Sequence, residues 1–272
     1  LKNPAVIKRF KEIYRYWIET AGIDGLRVDT VYYTPEDFYE RFLHDEENAD
    51  LGVKRFAEKQ GQDDFFVFCE VWSYDYKAIN RYVKDGLTRR LDSAIDLPLN
   101  EALAQVFFRK LSTDRLGKAL RAMRHNRHLW VNFLDNHDVE RIYSRGSAAA
   151  VQQALLALFT LPGIPCLTYG TEAGFTLSRQ KMFDEKHYDR TLPQAAFLSK
   201  LIELRKQNPV FSRGDCAVER VSPGCGLFAY SMTWRGETCL AVFNTAPDAM
   251  FYELPAHFEE KEVLLSSEGR TT

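Results

Sequence analysis

Three acids follow apolar runs in this chain. "GLRVD" closes on Asp29, "FFVFCE" on Glu70 and "FLDNHD" on Asp138. A polar turn explains any one of them. Three together suggest a chemistry. Two carboxylates on opposite sides of a bond, one an ionised nucleophile and one a protonated general acid, cleave a glycoside with retention. Arg27 lies two residues before Asp29, on the same side of a strand. Its guanidinium suits Asp29 to the ionised role. Glu70 ends an aromatic and aliphatic run and is followed by Val71 and Trp72. That setting should raise its pKa and suit it to the acid role. Asp138 remains as a third carboxylate, able to stabilise positive charge on an anomeric carbon.

Such a site needs elements that bring the strand ends together. "IDGLRVD", "DFFVFCE", "LDSAIDLPL", "LWVNFLD" and "GIPCLTYG" read as five short strands. Parallel strands are predicted near 23–28, 65–69, 92–95, 130–134 and 165–169. Helices are predicted over 5–18, 49–60, 99–109, 113–125, 147–161 and 195–207 from apolar spacing. A further helix follows Thr34 as N-cap, with Pro35 at its first position. Alternating strands and helices imply a parallel sheet. Parallel strand ends on one rim make a catalytic face. After about residue 210 the texture changes. "CGLFAYSMTWRGETCLAVFN" alternates between hairpin-like turns and reads as a small antiparallel β domain.

Composition narrows the function classes. The chain has 272 residues, 45% of them apolar, and a net charge of −2. It can build a core without disulfides, and its charge gives no reason to expect nucleic acid as a partner. The basic cluster Arg121, Arg124, His125, Arg127 and His128 reads as a solvated helix end. No apolar run is long enough to span a membrane. The five cysteines form no CxxC pair, and Cys69 and Cys166 read as small buried hydrophobes. The sequence opens inside a helical pattern with no initiator Met, so it reads as a piece of something longer. Localisation stays open between cytoplasm, periplasm and secretion.

The motifs together resemble the α-amylase family of glycoside hydrolases. "GIDGLRVDTV" resembles the family's nucleophile strand, which implies Asp29 as nucleophile and Arg27 as its support. "CEVW" resembles the acid/base strand, implying that role for Glu70. "FLDNHDVER" resembles the strand carrying the transition-state stabiliser, implying Asp138 for it and a sugar contact for His137. "GIPCLTYGTEAGF" resembles the eighth strand and its loop. The resemblance implies an α/β fold: strands four to eight of a (β/α)8 TIM barrel over 1–210, then a truncated β-sandwich-like domain over 211–272. It implies a retaining hydrolase or transglycosylase acting on α-glucans or maltooligosaccharides. Candidate substrate-binding residues are Arg27, His137, Tyr32, Tyr33 and Trp72.

Two departures accompany the resemblance. The family's motif on barrel strand three is absent. A Lys-His pair found after the nucleophile in many amylases is replaced by Tyr32-Tyr33, which puts ordinary endo-cleavage of starch in doubt. No cofactor or metal ligand is assigned; the family often binds calcium, through residues largely outside this chain. A metal site at Asp135, His137 and Asp138 is a weaker reading. So is a non-catalytic sugar-binding or scaffold role, since all three carboxylates are kept. With three barrel strands missing, exposed edges and apolar faces predict self-association or a poorly active fragment.

Overall fold

The computed structural model describes residues 1–47, 50–83, 90–123, 129–181, 189–258 and 262–266. The chain divides into two compact units. Leu1–Glu101, Arg121–Phe133 and Gly163–Cys166 form one; Ala102–Leu120, Leu134–Pro162 and Leu167–Thr272 form the other.

The first unit is built on parallel strands. Helix α1 (Pro4–Ala21) starts where Asn3 Oδ1 accepts the Ala5 N–H and Pro4 occupies the first turn. It packs on α2 (Glu36–His44) and α3 (Val53–Lys59). A lysine sits in that packing: Lys11 is fully buried, with Nζ 2.6 Å from Asp45 and 2.9 Å from Asp50. Strands β1 (Gly25–Val28) and β2 (Phe66–Cys69) pair parallel, and β3 (Ser93–Ala94) pairs parallel with β2. A side chain at Gly25 would collide with the Phe66 carbonyl, so glycine lets β1 lie against β2. The short helix α4 (Tyr76–Ile79) lies between β2 and β3. After β3 the chain enters α5 (Leu97–Leu103). Strands β4 (Val131–Phe133) and β5 (Ile164–Cys166) form a second parallel pair. An Ile95–Val131 bridge and the Asp96 N–H to Val131 O bond, 2.9 Å, tie β3 to β4. The row therefore runs β1-β2-β3-β4-β5, all parallel. Among the described residues no strand pairs with the outer edge of β1 or of β5.

In the second unit, the helical path of α5 continues as a π-helical segment over Ala104–Phe108. Helix α6 (Asp114–Ala122) spans the chain's return to the first unit, α7 (Ile142–Arg145) is short, and α8 (Ala148–Thr160) is capped by Ser147. Helix α9 (Pro193–Gln207) packs on α8, and α10 (Val210–Arg213) packs on the sheet that follows. That sheet is antiparallel: β6 (Asp215–Arg220), β7 (Leu227–Trp234) and β8 (Glu237–Asn244). The β7–β8 turn places Arg235 and Gly236 both at positive φ, as a tight two-residue hairpin requires. The face of β7 carrying Phe228 and Tyr230 stacks with Phe243, and Tyr230 Oη meets Thr160 Oγ1 at 2.5 Å.

Several expectations need correction. Thr34 is not the cap of α2: Pro35 holds that position, and no side chain caps the first turn. Cys69 is buried, but Cys166 is exposed because β5 ends the row of strands. The last parallel strand ends at Cys166 rather than near 169, where a turn over 169–174 takes over. The helix expected over 49–60 is Val53–Lys59, and that expected over 99–109 is α only to Leu103. Arg121 lies in the last turn of α6; Arg124, His125, Arg127 and His128 lie outside the described residues.

Candidate active site

The β1–β2 register places the first cluster. Arg27 pairs with Phe68 and Val28 with Cys69, so Asp29 and Glu70 come next, opposite each other. The ladder runs on: the Glu70 N–H donates to Val28 O at 2.9 Å, and Val31 N–H to Glu70 O at 3.1 Å. Register partners in a parallel pair share a face, and so do residues two apart. Arg27, Asp29 and Glu70 therefore point the same way. Arg27 Nη1 donates to Asp29 Oδ1 and Nη2 to Glu70 Oε2, each at 2.7 Å. One guanidinium thus bridges both acids, rather than serving Asp29 alone as the sequence suggested. Glu70 is only 5% exposed, and a buried carboxylate is costly without a partner. Asp29 is open to solvent, with 59% of its side chain exposed.

Aromatic side chains follow both strands. Tyr32 and Tyr33 lie on a 3-10 turn after β1, edge to face at 5.7 Å, with Tyr33 85% exposed. Trp72 and Tyr74 are exposed in the loop after β2. Flat apolar rings presented to solvent suit the faces of sugar rings.

A third acid just beyond a strand of this unit escaped the sequence reading. Asp96, fully buried, follows β3. Its carboxylate accepts from the Leu99 N–H at 2.8 Å and from Tyr76 Oη at 2.9 and 3.1 Å. Burial pushes its pKa up to about 7, against the pull of those two donors. The rule that found Asp29 and Glu70 would have found it, but a two-residue strand gives almost no apolar run to read.

The second unit holds the Asn-His-Asp motif, in the loop after β4. Asn136 Oδ1 accepts the N–H groups of Asp138, 2.8 Å, and Val139, 3.1 Å. Asp138 Oδ2 lies 3.0 Å from His137 Nε2, and Asp138 Oδ1 lies 3.1 Å from Arg179 Nη2. Asp135 turns elsewhere: its Oδ2 accepts the Ile142 N–H at 2.8 Å and lies 3.2 Å from Nε of the buried Arg141. Burial raises the Asp135 pKa, opposed by these donors. That carboxylate is spent on structure, which removes the metal reading of Asp135, His137 and Asp138. Among the described residues no group of three or more His, Cys, Asp or Glu could hold a metal ion.

Residues 1–196 match the family model of the α-amylase catalytic domain. The chain belongs to the α-amylase family. It is 31% identical to an α-amylase of Streptomyces lividans, over 92% of this chain and 31% of that protein. It is 27% identical to a cyclomaltodextrinase of Thermoanaerobacter pseudethanolicus, over 90% of this chain and 41% of that protein. The chain thus spans less than half the length of these curated relatives. Among solved structures, an Anoxybacillus α-amylase superposes with a TM-score of 0.78 at 26% identity, over 96% of this chain and 56% of that one. An α-amylase from Geobacillus thermoleovorans, complexed with acarbose, gives 0.72 at 29%, over 90% and 53%. Against this α-amylase family background, the structure brings Arg27, Asp29 and Glu70 together in one unit and His137 and Asp138 together in the other. Arg179, Arg141 and Asp96 are the ionisable residues that motif reading missed.

Proposed function

We propose that this chain carries the catalytic residues of a retaining α-glucoside hydrolase or transglycosylase acting on α-glucans or maltooligosaccharides. Residues 1–210 are taken as strands four to eight of a (β/α)8 barrel, and 211–272 as part of a β-sandwich-like domain. The observation that carries the reading is the Arg27 bridge. It holds two carboxylates from neighbouring strand ends on one face, 2.7 Å from a shared guanidinium.

In this scheme Asp29 attacks the anomeric carbon while Glu70 protonates the departing glycosidic oxygen. The two acids differ in setting: Glu70 is enclosed and Asp29 opens to solvent, where a sugar can reach it. Attack converts Asp29 into a neutral ester. Arg27 is then left with Glu70 alone, which favours Glu70 as carboxylate when it must deprotonate the incoming water or sugar hydroxyl. Asp138 receives the role of stabilising the oxocarbenium-like transition state from its motif. His137 would bind sugar, and Tyr32, Tyr33 and Trp72 would present ring faces to it.

The test follows the stereochemistry. In the full-length protein, NMR of the first product from maltooligosaccharides should show the α anomer, and Asp29→Asn should form no covalent glycosyl-enzyme. A β anomer would refute retention. Sugar binding without turnover would leave the non-catalytic reading.

A further inference from the structure

Arg179 takes no part in the scheme above, yet the chain holds it in an unfavourable conformation. Its φ is +57°, in the left-handed region that a long L side chain rarely adopts. The backbone is fastened on both sides of it. Ser178 Oγ donates to Val139 O at 3.2 Å, and Tyr169 Oη donates to Gln180 O at 2.9 Å. Between these anchors the guanidinium reaches Asp138 Oδ1 at 3.1 Å. The same loop is tied to the Asn-His-Asp loop twice more: Thr168 Oγ1 donates to Asp135 O at 2.7 Å, and Arg141 Nη2 donates to Thr171 Oγ1 at 3.1 Å.

Stability does not account for the arrangement. Arg179 is 69% exposed, and an exposed ion pair adds little. A left-handed residue costs more than such a pair contributes. The turn closed by the Gln180 N–H on Leu177 O accommodates that conformation; what it leaves to explain is the aim of the guanidinium at Asp138.

We propose that Arg179 is a positioning residue for Asp138, an inference that rests on the role given to Asp138 above. Asp138 is held at both oxygens, by His137 on Oδ2 and Arg179 on Oδ1. Asn136 fixes its backbone from below. The carboxylate is thereby set in one orientation before sugar arrives, so no reorganisation is needed as positive charge develops. The contact uses a single guanidinium nitrogen, so a lysine can replace it.

The experiment compares wild type, Arg179→Ala and Arg179→Lys on maltooligosaccharides, with thermal melts alongside. Arg179→Ala should lose kcat on the order of 10-fold while KM moves by less than about twofold, because the lost interaction acts in the transition state. Arg179→Lys should recover most of that loss, and all three proteins should melt together. The inference is overturned if Arg179→Ala matches an active wild type, if its loss falls on KM and the melting temperature together, or if lysine is no better than alanine. A wild type that binds sugar but shows no turnover takes the function reading down with it; the other three results strike Arg179 alone.

Discussion

Replacing Glu70 with Gln keeps the side chain's shape and removes its proton. As the general acid, Glu70→Gln should slow hydrolysis of maltooligosaccharides by roughly 10²–10⁴-fold. Aryl α-glucosides with activated leaving groups need little protonation and should be slowed much less. Equal losses on both substrates, measured as kcat/KM, would remove Glu70 from the acid role. Strand geometry made Asp29, Glu70 and Arg27 legible in the sequence, because a period of two decides which side chains share a face. It could not show that Arg27 serves both acids. That depends on the Arg27–Phe68 register across two strands some forty residues apart. Arg179 was illegible for a similar reason. Its local turn, over 177–180, is short and carries no turn signature, and its aim at Asp138 depends on partners near 139 and 169.

Elements were readable where the apolar period was long. Helices α1, α8 and α9 lie close to their predicted spans, and the five parallel strands were all anticipated. Boundaries and irregularities were not. The change to π-helix at Ala104 and the loss of the Thr34 cap are decided by packing. The α5 start shows what a buried cap can do. Asp96 accepts the Leu99 N–H there, with its pKa raised to about 7. An unfolded aspartate ionises near 4. Folding therefore favours protonated Asp96: the contribution is fully present below about pH 4 and is lost as pH rises through 7. Asp96→Asn keeps the acceptor and cannot ionise. Its thermal melts should match wild type near pH 4 and exceed it at pH 8, by on the order of 2–4 kcal/mol. Curves that stay parallel across that range would show that Asp96 is charged throughout.

At the scale of the molecule, the first unit leaves apolar surface uncovered. Val6, Phe10, Ile13 and Trp17 line one exposed side of α1, while Ile7 and Ile18 are buried on another. The sequence showed the apolar spacing but not which side would find a partner. An apolar stripe of that kind, on a unit whose outer strands β1 and β5 pair with no further strand among the described residues, favours association. Light scattering of residues 1–272 should give a mass that rises with concentration. The double substitution Phe10→Glu and Trp17→Glu should lower it. A mass fixed at the monomer value across concentrations would contradict this.

The buried thiol beside Glu70 has a use of its own. Cys69 is fully enclosed, and burial pushes its pKa well above the ordinary thiol range; Cys166 and Cys225 are open to solvent. A thiol reagent will therefore mark those two first and reach Cys69 only when β2 lifts from its neighbours. The strand that carries Glu70 thus has a built-in clock: the delay before Cys69 is tagged measures how often it opens.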